Sequence, residues 1–173
     1  MIKNEKGITL TALVVTVIVL IVLAGISIVG GTDVIKRVRT ESVVTNMIML
    51  KSKSKIYAEE VNSKVWNLSN EEKTTKRPEI FQDEYFMEKL DISQEPGLSE
   101  ISEEVTNAGY EAYQITYETL DKMGLSDIND GENYVVIYNS ADFTKLDILY
   151  KQGTDYDGKT YYTLSNLRNQ MGE

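Results

Sequence analysis

Residues 8–30 are 23 consecutive positions without a charge, dense in Val, Ile and Leu, and the next ionisable side chain is Asp33. As an α-helix rising about 1.5 Å per residue, such a run measures roughly 34 Å, enough to cross a hydrocarbon core of about 30 Å. Its hydroxyl residues, Thr9, Thr11, Thr16 and Ser27, can bond back to helix carbonyls and so cost little in lipid. β-branched residues lower helix propensity in water, whereas in lipid the backbone satisfies itself most locally as helix. The segment is expected to be a transmembrane helix.

The run begins abruptly. Lys3-Asn4-Glu5-Lys6-Gly7 gives way at once to Ile8-Thr9-Leu10-Thr11-Ala12-Leu13. A secretory signal peptide would have a shorter apolar core and a small-residue cut at its far end, for which Val29-Gly30-Gly31 is passable. An uncleaved signal anchor would account for the length, but neither accounts for a glycine at the leading edge. A short charged leader, one glycine and an uninterrupted apolar helix together resemble the processing site of type IV prepilins and of the pseudopilins of type II secretion. The resemblance implies cleavage by a prepilin peptidase between Gly7 and Ile8, N-methylation of Ile8, and packing of the apolar helix into the core of a filament. It also implies the cytoplasmic membrane as the precursor's location, single-pass with its head outside, and a cell-surface filament after assembly. The implied partners are the membrane, the peptidase, the pilus or secretion assembly machinery and other pilin-like subunits. Many pilins carry a glutamate where this chain has Ala12; in that respect, and in its K-G-I-T-L leader, the chain is similar to the Gram-positive, clostridial group. Lys3 and Lys6 before the span are matched by Lys36, Arg37 and Arg39 after it, so the positive-inside rule sets no orientation.

Beyond the span, Val34, Val38, Met47, Ile48, Tyr57, Val61, Val65 and Leu68 recur at three- and four-residue intervals and no proline precedes Pro78. This predicts an amphipathic helix through residues 31–66. Lys51, Lys53, Lys55 and Lys64 read as its solvated face, and no aromatic interleaving points to nucleic acid. Residues 67–78 read as a polar loop. A short helix is expected around residues 85–90, a turn at Gln94-Glu95-Pro96-Gly97, and a helical turn or two over 98–105. Later signals are firmer: a strand at 112–115, a capped helix over 116–124 closed by Gly124, a strand at 134–138 with a partner at 145–150, a strand at 161–163 after Asp157-Gly158, and a final helix over 164–170. This tyrosine-rich part is also similar to the heads of clostridial pilin-like proteins. The expected architecture is α+β: leader 1–7, membrane helix 8–30, amphipathic continuation 31–66, and a head over 67–173 with a small antiparallel sheet.

Charge is polarised. Through Arg77 there are 12 basic and 7 acidic residues; from Pro78 on there are 6 and 20. The chain has no His and no Cys, which excludes a Ser-His triad, a thiol nucleophile and the usual zinc ligands. No phosphate-binding glycine pattern occurs. Glu103-Glu104 reads as a solvated pair rather than a glycosidase dyad. Asp127, Asn129 and Asp130 set oxygen ligands in one turn as calcium candidates, but Gly131 is fifth and Tyr138 twelfth from Asp127, out of register with an EF-hand, so a structural turn is the better reading. The sequence thus reads as a noncatalytic pilin-like subunit, a minor pilin or pseudopilin without cofactor; its alternative is an uncleaved, membrane-anchored extracellular binding domain.

Overall fold

The computed structural model describes the backbone of residues 10–96 and 98–172, and the side chains of 13–20, 34–96, 98–99 and 101–172. Two compact units divide between Arg39 and Thr40. Helix α1 spans Leu10–Lys64. In the first unit Leu13, Val14, Val15, Val17, Ile18, Val19 and Leu20 are all exposed, and the Thr16 hydroxyl donates to the Leu13 carbonyl at 2.8 Å.

Here the expected fold needs correction. Among the described residues, no helix is long and apolar enough to cross a membrane. The expected membrane half of a long helix is therefore not found among the described residues. The Gly7–Ile8 junction lies outside the described residues.

In the second unit α1 buries a stripe at Val44, Met47, Leu50, Ser54, Tyr57, Ala58 and Val61, continued by Val65. These positions recur every three or four residues, as one face of a helix requires. Val34, Val38 and Ile48, expected in this stripe, are exposed. Helix α2, Asn70–Tyr85, occupies ground expected to be loop. Its start is a capping box: the Ser69 hydroxyl accepts from the Glu72 N–H while the Glu72 carboxylate accepts from the Ser69 N–H at 2.9 Å, satisfying two donors that a helix start otherwise orphans. Pro78 lies inside this helix and removes one intrahelical donor. Phe81 and Tyr85 bury its far end and hold it on the core.

The chain then makes strand β1 (Glu88–Leu90), a 3-10 turn (Ile92–Gln94), α3 (Ser99–Asn107), β2 (Tyr110–Gln114) and α4 (Tyr117–Met123). After a second 3-10 turn (Gly131–Asn133) come β3 (Tyr134–Asn139), β4 (Leu146–Tyr156), β5 (Lys159–Thr163) and α5 (Leu164–Met171). The five strands form one antiparallel meander in chain order. Alternation along β3 sends Tyr134, Val136 and Tyr138 into the core shared with α1, α2 and α4, and Val135 and Ile137 into a second core with Ile92, Leu98 and Val105. The sheet is therefore buried on both faces, which explains why β3 reads as an almost continuous apolar run.

Phe81 stands at the centre of the first core. Its ring lies 5.2 Å from Tyr113, 4.8 Å from Tyr138 and 5.6 Å from Phe143, centroid to centroid. The Arg77 guanidinium caps this cluster 4.4 Å from the Phe143 ring, and burial pulls its pKa below the usual arginine value. Tyr138 donates to the Ser54 carbonyl on α1 at 3.3 Å, and Tyr85 donates to the Glu60 carboxylate at 2.6 Å.

Two features of the last strands carry measurable costs. β4 and β5 are joined by Asp157 and Gly158, both at positive φ, the backbone that a two-residue hairpin turn of matching twist requires. Between Leu149 and Thr154 the register shifts, and Gly153 takes φ +67° with its Cα facing β5. A Cβ there would meet Thr160 Cγ2 at 2.4 Å and Tyr162 Cε1 at 3.0 Å. Gly153→Ala is expected to lose about 1–2 kcal/mol from backbone conformation alone, with the contact adding to it; equilibrium denaturation in urea measures the loss.

Asp147, on β4, ties three elements together. One carboxylate oxygen accepts from Lys51 on α1 at 3.0 Å and the other from the Ser165 N–H in the first turn of α5 at 3.0 Å. Lys51 is thus an ion-pair partner rather than a purely solvated lysine. Asp147→Ala is expected to destabilise the unit by about 2 kcal/mol, since hydrogen bonds to a mostly buried charge are worth more than neutral ones. Thermal unfolding with Lys51→Met as the companion variant checks it: a smaller loss for Lys51→Met shows that the α5 contact contributes separately.

Candidate functional site

The structure treats the calcium candidates as a turn. Asp127, Asn129 and Asp130 are exposed, Ile128 between them is buried, and the Asp130 carbonyl accepts from the Asn133 N–H at 2.9 Å. Among the described residues, no group of three or more acidic side chains is placed to hold a metal ion. Gly131 packs so closely on α4 that a Cβ would lie 2.4 Å from Leu120 Cδ1, which gives this turn a packing role.

The most unusual local geometry lies at the end of α2. Phe86, the residue that closes the helix, adopts φ 56° and ψ 31°, a left-handed conformation that helix ends normally give to glycine or asparagine. A bulky residue there carries roughly 1–2 kcal/mol of steric cost. It is held by its surroundings. The Met87 N–H closes the helix onto the Phe81 carbonyl at 3.0 Å. The Phe86 carbonyl accepts from two hydroxyls at the start of α4, Thr116 at 3.1 Å and Thr119 at 2.9 Å. The same two threonines form a capping box across the first turn of α4, so the clamp on Phe86 and the start of α4 are one hydrogen-bonded unit.

This clamp presents aromatic surface to solvent. Phe86 is 45% exposed, and Tyr117, the first residue of α4, is 59% exposed. The Lys122 ammonium lies 5.6 Å from the Phe86 ring centroid and 5.1 Å from that of Tyr85, and it also donates to the Glu84 carbonyl. Phe86, Tyr117, Glu118, Asp121 and Lys122 line an open depression of about 610 Å³. On its other side Tyr117 and Glu118 border a second depression of about 550 Å³, bounded by Gln114, Thr116, Glu132 and the Lys151–Glu95 ion pair at 3.1 Å. Two shallow depressions therefore meet along Tyr117 and Glu118, with carboxylates at the rim.

Sequence reasoning passed over Phe86 and Tyr117 because neither belongs to a motif. A signal existed for each. The Ser69-x-x-Glu72 box starts a helix that Phe81 and Tyr85 extend to the position before Phe86, and the Thr116 cap makes Tyr117 the first residue of α4.

No protein-family model, no curated protein and no solved structure matches this chain. The resemblance to type IV prepilins and pseudopilins is therefore corrected: no family or relative supports it, and the membrane-spanning helix that it requires is absent among the described residues. The readings that rested on it are withdrawn for the same reason. These are a pilin-like or secretion-filament subunit, the alternative of a membrane-anchored binding domain, the membrane, peptidase and assembly machinery as partners, and single-pass or cell-surface localisation.

Proposed function

We propose that the unit from Thr40 onward is a noncatalytic binding module that engages an extended peptide segment of a partner along the Phe86–Tyr117 face. The observation that carries this reading is Phe86 itself, an exposed aromatic side chain held in a strained left-handed conformation by the Thr116 and Thr119 hydroxyls. Strained residues persist where surrounding structure over-determines them, and they concentrate at binding and catalytic sites. Tyrosine and phenylalanine presented rigidly supply contact area at low entropic cost. The groove is shallow and open, suited to a chain segment rather than an enclosed small molecule. A composition without His or Cys favours binding over acid–base or nucleophilic chemistry.

Selection of displayed random peptides on the full chain tests the reading. Enriched peptides are expected to shift the backbone resonances of Phe86, Tyr117 and Glu118, and to bind a Tyr117→Ala variant about tenfold more weakly, since truncating an anchoring aromatic typically costs more than 1 kcal/mol. Enriched peptides that map elsewhere, or no enrichment over an unrelated control domain, contradict it.

A further inference from the structure

Resting on that reading, we infer that the segment recognised is cationic, with a lysine or arginine side chain lying over Phe86 and Tyr117 between the carboxylates of Glu118 and Asp121. The lining of the groove and the charge of the surrounding chain point to a positive charge. The molecule already places one there: the Lys122 ammonium sits against the Phe86 and Tyr85 rings, so this aromatic cluster accommodates a cation on the faces it already offers. Around the remaining exposed aromatic surface the rim is acidic, with Glu118 and Asp121 lining one depression and Glu118 and Glu132 the other. Lys151 and Glu95 cancel each other as an ion pair, and against Lys122, which lies on the rings, Glu118, Asp121 and Glu132 leave the groove with an excess of negative charge. The surrounding chain adds a field of the same sign, since from Pro78 onward 20 acidic residues face 6 basic ones. Such a field speeds and orients the encounter with a cationic segment and repels acidic ones.

The chemistry assigns distinct roles. Phe86 and Tyr117 supply aromatic faces for the aliphatic stem and the charged end of the side chain. Glu118 stands on both depressions and is placed to pair with the cation whichever of the two it enters. Asp121 accepts from the Ser126 hydroxyl at 3.1 Å, which fixes the carboxylate and leaves acceptor capacity for a ligand.

The test is a titration of the full chain with a short alternating glycine–arginine peptide and its glycine–glutamine and glycine–glutamate counterparts, followed by calorimetry. The arginine peptide is expected to bind and the glutamate peptide not to bind. Raising salt from about 50 to about 300 mM is expected to weaken arginine-peptide binding severalfold, because partly exposed charges are screened over that range. The double variant Glu118→Gln with Asp121→Asn, which keeps the shape of both side chains, is expected to weaken it about tenfold, two partly exposed ion pairs together accounting for that factor. Phe86→Gly is expected to weaken it at least as much. Glutamine-peptide binding of equal strength that is lost in Phe86→Gly overturns the cationic assignment and leaves the peptide-binding reading standing. Arginine-peptide binding indifferent to Phe86→Gly overturns the assignment as well, by locating the cation elsewhere on the acidic surface. Failure of all three peptides overturns it too, while the display selection decides separately whether this face binds peptides at all.

Discussion

Phe81→Ala is expected to cost about 3–5 kcal/mol, the usual range for deleting a fully buried aromatic ring. Phe81 is wholly inaccessible to solvent and contacts the rings of Tyr85, Tyr113, Tyr138 and Phe143. The residues around it come from α2, β2, β3 and the β3–β4 connection, so no single side-chain movement can fill the space that alanine leaves. Because small domains are stable by only about 5–15 kcal/mol, this one change is expected to bring the second unit close to unfolding at ambient temperature. Urea denaturation monitored by far-ultraviolet circular dichroism measures it. Phe81→Leu, which keeps most of the volume, is expected to lose distinctly less. A cost below about 1 kcal/mol for the alanine variant would show that α2 does not pack as described.

Raising the pH above 10 is expected to unfold the same unit cooperatively. Burial raises the hydroxyl of Tyr134 from its ordinary value of 10.0 to about 12, against a lowering from its bond to Asn46. Tyr138 is raised further by burial, as is Tyr113 by burial and then by the Glu111 charge, and Tyr85 by burial and its bond to Glu60. The sign follows from the neutral form being the one the core accommodates. Each folded-state value lies above the unfolded one, so the associated stability is whole below pH 10 and is lost as pH climbs from 10 through about 12 and beyond. Tyrosinate absorbance of the buried rings is expected to rise together with loss of the circular dichroism signal. A single titration near pH 10 with the fold intact would contradict the packing of these tyrosines.

Local signals in the sequence located elements better than they located surfaces. The capped helix α4 is legible because Thr116 and Gly124 mark its two ends chemically, and the β4–β5 turn because Asp157-Gly158 suits positive φ. Strand β3 is legible from Tyr134-Val135-Val136-Ile137-Tyr138, since burial on both faces leaves no charged residue in the run. Helix α2 was hidden by its composition. Residues 67–78 have one apolar member and a proline, and the side chains that secure the helix, Phe81 and Tyr85, lie beyond them. The helix expected over residues 85–90 failed at Phe86, whose left-handed backbone depends on hydroxyls thirty and more residues away in α4. No local pattern carries such a contact. The stripe on α1 ran too far forward: Val34 and Val38 have helical spacing but are exposed, and among the described residues burial on α1 begins at Thr40. The membrane and filament readings leaned on a leader junction outside the described residues and on the uncharged run over residues 8–30, which records what a segment avoids and not what it meets.

Phe86→Gly tests binding at this face with fold and function separated. Glycine relieves the left-handed backbone at that position while removing the ring, and the two effects on stability oppose each other, so the melting temperature is expected to stay within a few degrees of the parent. Affinity for a display-selected peptide, measured by calorimetry on that folded variant, is predicted to fall at least tenfold. An affinity equal to the parent's, at an unchanged melting temperature, would contradict the assignment of this face as the binding site.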